Sequence, residues 1–446
     1  MRSVKRLRCV ARAAAVAALL SSAASAAPAP EASDAQLDEL TGKELPKVIA
    51  WRRDLHQHPE LGNRETRTAK LITDHLKHLG LKVQTGVAHT GVVALLEGGR
   101  PGPTVAVRAD IDALPVTEKT DVPFRSHVTT TYRGETVGVM HACGHDSHAA
   151  MLMGLAEELT RVRASLPGKV LFIFQPAEEG APEGEEGGAQ LMLKQGLFAH
   201  YQPQVVFGMH VWSALAVGDI GYRAGPLMAG VDSFKIHVQG RQAHGSQPWQ
   251  SIDPVVTSAQ IVNALQTVIS RDVDITAAPA VVSVGAIKGG IRSNIIPSEV
   301  DMIGTIRTFT AAQRDTVLSS MKRIIENTAA ANGASAQFIL GPEHYPVTYN
   351  DPKLMAEVLP SLQAVAGAEH VKQIDLITAA EDFSLFAQSV PGVYFFVGVT
   401  PPDQDPATAP SNHSDYFYLD ERGIPIGMRA MAHVVIDYLN AHKVAP

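Results

Sequence analysis

From residue 44 onward the chain switches between hydrophobic rhythms. ELPKVIAWRRDLHQHPEL (44–61) and RETRTAKLITDHLKHLGL (64–81) place apolar residues at helical spacing, predicting two amphipathic helices, the second stopped at Gly80. GVVALLEG (91–98) and PTVAVRADIDAL (103–114) read as strands. The second stays apolar until it ends in acids, like a buried central strand. HAAMLMGLAEELTRV (148–162) predicts another helix. GKVLFIFQPAEEG (168–180) is a strand that again ends in acids, and VVFGMHVW (205–212) is one that ends in histidine. Strands alternating with helices imply an α/β domain with a mostly parallel sheet. Polar residues then gather at strand C-termini, where such sheets form their clefts.

Near residue 225 the pattern changes. SFKIHVQG (233–240) alternates cleanly, and DPVVTSAQIVNALQTVIS (253–270) is a long helix. AVVSVGAIKGG (280–290) and SEVDMIGTIRTF (298–309) form a strand pair, followed by the long helix of AAQRDTVLSSMKRIIENTAAANG (311–333). This β-α-β-β-α-β order predicts an inserted ferredoxin-like α+β domain over 226–342. The α/β character returns afterwards, with GVYFFVGV (392–399) as an apolar strand, so the first domain is expected in two parts, 45–225 and 343–446.

Length and composition agree with two domains: 446 residues, 45% hydrophobic and 19% charged, with no repeat or coiled-coil bias. The first residues change the picture more. Arg2, Lys5, Arg6, Arg8 and Arg12 precede a short apolar run, AAAVAALL (13–20), and Ala24-Ser25-Ala26 offers a cleavage point. This is the pattern of a signal peptide over 1–26, followed by an Ala/Pro/Glu-rich tail over 27–44. The run is too short to span ~30 Å of hydrocarbon. An exported protein is therefore expected, periplasmic or secreted, without a membrane segment in its mature form. Losing the leader takes the net charge from −7 to −12, because five basic and no acidic residues go with it. An acidic surface argues against nucleic acid as partner. Cys9 also leaves, so Cys143 remains unpaired in a compartment where disulfides form. A thiol kept there is either buried and inert or held by a metal.

Cys143 stands in MHACGHDSHAA (140–150), two residues before His145 and five before His148. A thiolate and an imidazole two apart can face one cation when they lie on a turn; a buried core pair is the other reading. QPAEEG supplies Glu178 and Glu179, which point different ways at a strand end, so that one can bind metal while the other serves as base. Two solvated loop acids would look the same. His210 in FGMHVW also reads as a core histidine, and His413 in PSNHSDYF as a surface one. Asp110 and Asp112 end RADIDALP. Jointly, these residues all sit at or just beyond the ends of apolar strands. One Cys, three His and one Glu are enough donors for two ions, with a second Glu left over. No G-x-S-x-G elbow supports a serine hydrolase.

DLHQHPEL, RADIDALP, HACGHDSHAA, QPAEEG, GMHVW, AEDFS and the late His413 together resemble the dimetal exopeptidase family of aminoacylases and glutamate carboxypeptidases. The resemblance is closest to the amidohydrolase branch that includes hippurate hydrolases, auxin-conjugate hydrolases and bacterial N-acyl-amino-acid amidohydrolases. It covers about 45–440 and implies metal ligands at Cys143, His145, Glu179, His210 and His413, with Glu178 as the base. Asp110, Asp112 and His148 would orient those ligands from behind. The inserted domain matches the family's lid and dimerisation unit. There the resemblance implies that His244 of QAHGSQP stabilises the oxyanion, in some members across a dimer. Asn294 of GGIRSNIIP and Arg307 of GTIRTF would hold polar groups of the substrate. Two spellings depart from the family pattern: HGSQPW delays Pro248, and APSNHSDYF surrounds His413.

The expected activity is metal-dependent hydrolysis of the amide bond of an N-acyl amino acid or related small amide, by a homodimer joined through the inserted domain. Two divalent ions are expected; zinc, manganese, cobalt and nickel all suit the donors, a thiolate favouring the softer of them. A dipeptidase or carboxypeptidase of the same family is the alternative enzyme. A periplasmic binding protein is the non-catalytic one, although a pure binder has no need of Glu178.

Overall fold

The computed structural model describes residues 34–444. The expected leader over 1–26, its expected cleavage point and Cys9 lie outside them. Helix α1 (Asp34–Gln57) begins well before the stretch whose periodicity announced it. Residues 34–44, expected as tail, are helical because Leu37 and Thr41 are buried one turn apart and continue to Val48 on the same face. Asp38, beside them, is gripped by Arg429 at 2.8 Å. After α2 (Thr66–His78) come β1 (Lys82–Val87), β2 (Gly91–Glu97), β3 (Arg100–Asp110) and a hairpin of β4 (Thr129–Tyr132) and β5 (Glu135–Gly138). Then follow α3 (His145–Arg161), β6 (Pro167–Gln175), α4 (Gly188–Lys194), α5 (Leu197–Tyr201), β7 (Val205–Ala216), β8 (Ile220–Tyr222) and β9 (Gly225–Met228).

The next stretch folds as its alternation predicted. β10 (Gly230–Gln239), α6 (Pro254–Thr267), β12 (Val281–Lys288), β14 (Glu299–Thr308), α7 (Ala311–Ala331) and β15 (Ser335–Tyr345) build one layer of helices on one sheet, while β11 (Ala243–His244) and β13 (Ile295–Ile296) form a small ribbon. The sheet order is β12-β14-β10-β15, antiparallel throughout, which is the ferredoxin-like arrangement. Phe234, Ile236 and Val238 alternate along β10 and face Ile261, Leu265, Met321 and Ile325 of the two helices. Asp253 caps α6 by accepting from the Val255 and Val256 N–H groups.

The chain then returns to the first sheet through β16 (Thr348–Asn350), α8 (Pro352–Ala366), β17 (Val371–Gln373), α9 (Phe383–Ser389), β18 (Gly392–Thr400) and α10 (Ile424–Ala441). The eight-stranded order is β1-β2-β6-β3-β7-β18-β8-β17. Its centre, β6-β3-β7-β18, is parallel, as continuous apolar runs buried on both faces require. The edges correct the simpler expectation, because β1 and β2 run antiparallel on one side and β8 runs antiparallel to β18 on the other. Alternation in β6 divides its side chains between two cores. Phe172 and Phe174 pack under α1, α3 and α10, whereas Leu171 and Ile173 pack under α4 and α9.

Gly208 of β7 lies opposite Tyr394 of β18, and a Cβ there would sit 2.7 Å from the Tyr394 ring and 2.9 Å from Phe383. Neither buried ring has room to retreat. Gly208→Ala should therefore cost about 1–3 kcal/mol from overpacking, read as a lower urea midpoint at unchanged slope.

Candidate metal centre

The strand ends bring the predicted donors to one place. Cys143 ends the loop before α3, and Gly144, in the left-handed region at φ 94°, turns the chain so that His145 opens the helix. A side chain at that glycine would place its Cβ 2.4 Å from Val211, so the spacer between thiol and imidazole has to be glycine. The thiol lies 3.3 Å from His210 Nε2 and 3.2 Å from His413 Nε2. His413 Nε2 is 3.1 Å from Glu179 Oε1, and His145 Nε2 is 3.9 Å from the same oxygen. Cys143 thus belongs both to a group with His145 and His210 and to one with Glu179 and His413. This places the sulfur between two donor sets.

Residues behind the donors fix their orientation. His145 Nδ1 donates to the Asp112 carbonyl at 2.9 Å, which aims Nε2 at the cluster. Asp112 Oδ2 accepts the Glu179 N–H at 3.0 Å. Asp110 Oδ1 takes the Nδ1 proton of His148 at 2.6 Å, and His148 Nε2 accepts the Val211 N–H at 2.9 Å. Both His148 nitrogens are thereby used, and the ring is a strut rather than a ligand. Asn412 Nδ2 donates to the carbonyls of Cys143 and Val211, tying the loop of His413 to the other two segments. His413 itself has φ 74° and Ala177, just before the glutamate pair, has φ 52°. Such strained non-glycine residues cluster where side-chain direction matters.

The electrostatics of this set call for cations. Burial, then the charges of Glu179 and Glu178, push the Cys143 thiol well up from its ordinary value. Burial disfavours a charged His145, yet Asp110, Asp112 and Glu179 outweigh it and raise the ring to about 10. Burial and then Glu381 push Glu178 well above the carboxylate range. His145 Nε2 is buried with no hydrogen-bond partner. An unpartnered imidazole nitrogen beside a thiol, in a pocket with this much negative charge, fits divalent ions held by S, N and O ligands.

The inserted unit contributes differently. His244 is exposed on the β11–β13 ribbon and its Nδ1 is held by the Ser246 hydroxyl at 2.7 Å. Asn294 meets it there through backbone alone, its carbonyl accepting the Gly245 N–H at 2.8 Å. Arg307 sits on β14 and donates to the Thr378 carbonyl at 3.1 Å. The contacts of the described residues link none of the three to the donor cluster.

Sequence reasoning missed a second buried group. Arg108 of β3 is fully buried and pairs with Asp110 at 2.7 Å, Glu381 at 2.8 Å and Asp382 at 3.0 Å, with Gln175 Oε1 accepting at 2.8 Å. Glu381 and Asp382 lie close to Glu178. A charged residue inside an otherwise apolar strand was the available signal, and AEDFS was noticed only as a family spelling.

Residues 106–437 match peptidase family M20/M25/M40. The chain is 40% identical to thermostable carboxypeptidase 2 of Saccharolobus solfataricus, over 88% of this chain and 95% of that one. It is 41% identical to an N-acyl-L-amino acid amidohydrolase of Geobacillus stearothermophilus, over 68% and 78%. A dinuclear metal-binding M20 peptidase of Bacillus subtilis superposes with a TM-score of 0.74 at 34% identity, over 90% of this chain and 99% of that one. This chain belongs to the M20 peptidase family. The M20 protein is accordingly a metal-dependent hydrolase whose cofactor is a pair of divalent ions, and the cluster around Cys143 has the donors to hold them. If Cys143 is one of those donors, it should resist alkylation in the metal-loaded M20 hydrolase, and a chelator should open it to reagent. Equal labelling with and without chelator would remove Cys143 from the ligand set.

Proposed function

We propose that this M20 hydrolase cleaves the amide bond of N-acyl amino acids and short peptides by adding water across it. The observation that carries this reading is the split of the QPAEEG pair. Glu179 reaches His413 and the thiol, while Glu178, buried beside it, stands 4.0 Å from His145 Nε2 on the side of Glu381 and Asp382 and makes no contact with His413 or the thiol. One carboxylate thus joins the thiol and His413, and the other is left at the border of the donor cluster beside His145. When bound, the two ions supply polarisation of the scissile carbonyl and a more acidic attacking water. Glu178 takes a proton from that water and returns it to the leaving amine nitrogen. Asp112 and Asp110 keep His145 and His148 in their tautomers meanwhile. His244 donates to the developing oxyanion, and Asn294 and Arg307 hold polar groups of the substrate.

The inserted unit would reach the site from a second copy. Ile287 and Ile303 on its sheet, Ile295 on its ribbon, and Trp249 and Ile291 on the adjoining turns are exposed apolar side chains, which supports a homodimer through this unit. The basic n-region and short apolar run before Ala26 support export to the periplasm or medium. Among the described residues no helix is long and apolar enough to cross a membrane.

Glu178→Gln should retain metal while turnover falls ~10²–10⁴-fold, the range of a positioned base. Elemental analysis beside an assay of amine release tests this, and near-wild-type turnover would end the assignment. A second measurement addresses His244→Ala, for which kcat should drop by about 10²–10³ as for loss of one oxyanion donor, with metal content unchanged. Mixing that variant with Glu178→Gln and allowing subunits to exchange should restore activity if the histidine serves its neighbour. Failure after proven exchange would confine His244 to its own chain.

A further inference from the structure

Beside the donor cluster lies a cleft of about 560 Å³ that the reaction described above does not use. Glu179 lines it, and Pro59, Leu61, Leu114 and Val139 give it apolar walls. Clefts of this size take drug-sized groups and far exceed what an acetyl fills. One further wall is formed by six consecutive residues, Val128 to Arg133. A strand that turns a face to a cavity contributes alternate residues, because its side chains alternate with a period of two. Consecutive lining residues mean that β4 turns its edge to the cleft.

That edge carries backbone groups with nothing paired to them. β4 pairs only with β5, from Thr129 opposite Gly138 to Tyr132 opposite Glu135. Arg133 and Gly134 connect them with φ of 50° and 84°, the left-handed pair of a two-residue hairpin turn. In such a hairpin the residues flanking the turn exchange hydrogen bonds, and bonded pairs recur at every second position. Thr130 with Val137 and Val128 with Val139 are the next bonded pairs, and the Val139 N–H does donate to the Val128 carbonyl at 3.0 Å. The N–H and C=O groups of Thr129 and Thr131 must therefore point away from β5. On β5 the corresponding outward group is taken, since the Gly138 N–H donates to Thr117 Oγ1 at 3.2 Å. Among the described residues, no backbone group takes the outward groups of Thr129 or Thr131.

We propose that the outward edge of β4 docks the acyl side of the substrate as an added strand, so that the preferred substrates are peptides or N-acylated peptides rather than N-acetyl amino acids. This rests on the amide-hydrolase reading above and names the substrate class for that site. Unpaired strand edges bind extended chains through main-chain hydrogen bonds, with side-chain pockets adding selectivity. Four outward groups over Thr129–Thr131 match a partner segment of about three residues. The occupant is a substrate segment and not a second copy of this chain, because the edge lines the same cleft as Glu179, a metal donor.

The test uses the metal-loaded full chain and a ladder of N-acetyl amino acid, N-acetyl dipeptide, tripeptide and tetrapeptide. Each is made with an apolar, a basic and an acidic released residue. As each added residue pairs with β4, kcat/KM should rise about 2–10-fold, the worth of a backbone hydrogen bond, and level off after the third. N-methylating one pairing amide in the longest substrate should return it by one such step. Thr131→Pro removes one outward N–H and should reduce the ratio of longest to shortest substrate by a similar factor; if that variant does not fold, the N-methylated substrate decides. A flat or falling ladder with the N-acetyl amino acids still hydrolysed overturns strand docking and leaves the amide-hydrolase reading standing. No turnover of any member overturns both.

Discussion

The buried guanidinium of Arg108 is the constraint on which the rest of the centre depends. It sits in the central strand β3 with no access to water and is surrounded by Asp110, Glu381 and Asp382. Burying one cation among three carboxylates is tolerable only because the remaining lone pairs are occupied. Gln175 and the Ala189 N–H donate to Asp382, and the Tyr394 hydroxyl donates to Glu381. Removing a partner from such a group leaves an uncompensated charge, typically worth 3–5 kcal/mol. The network therefore locks β3, β6, β18 and the start of α9 into one relative position. It is also the anchor from which the ligands are aimed. Arg108 holds Asp110, Asp110 holds His148, and His148 holds the Val211 N–H beside His210.

Around this anchor the donor atoms are preorganised by backbone that few other sequences would adopt. Gly144 allows Cys143 and His145 to converge where any Cβ would strike Val211. Ala177 and His413 accept left-handed conformations that disfavour side chains, and the surrounding hydrogen bonds hold them there: Ala177 N–H to Glu65, His413 N–H to the Ala142 carbonyl. The result is a set of donors whose directions are decided before any ion arrives. That is the arrangement expected where a fixed field acts on the reaction.

Division of labour follows from the topology. Among the described residues, the unit built on the eight-stranded sheet carries the metal donor candidates, on its strands, loops and the start of α3, and the cleft beside them, whereas the inserted unit has its own core and presents His244 on an exposed ribbon. Loops anchored at the ends of rigid strands can hold atoms at ligand distances.

How much of this was legible in the sequence follows the range of the interactions. Apolar runs ending in acids announced β3 and β6, because burial on both faces and a polar C-terminal edge are local properties of a strand. The β-α-β-β-α-β order of the insertion was equally readable, since each of its elements buries one face against its neighbours in sequence. Cys143, His145, Glu178, Glu179, His210 and His413 could be picked out as residue types at strand ends. What they do to one another could not. Arg108 meets Asp382 across 274 positions, and His413 meets Cys143 across 270. Whether His148 is ligand or strut depends on the Val211 N–H, which has no signature in the chain. The start of α1 was hidden because an Ala/Pro/Glu-rich composition masks two residues that only the core makes important, Leu37 and Thr41. The open edge of β4 was invisible for the same reason. A strand's sequence records which side chains it carries, while the packing of distant segments decides which of its backbone groups are left without a partner.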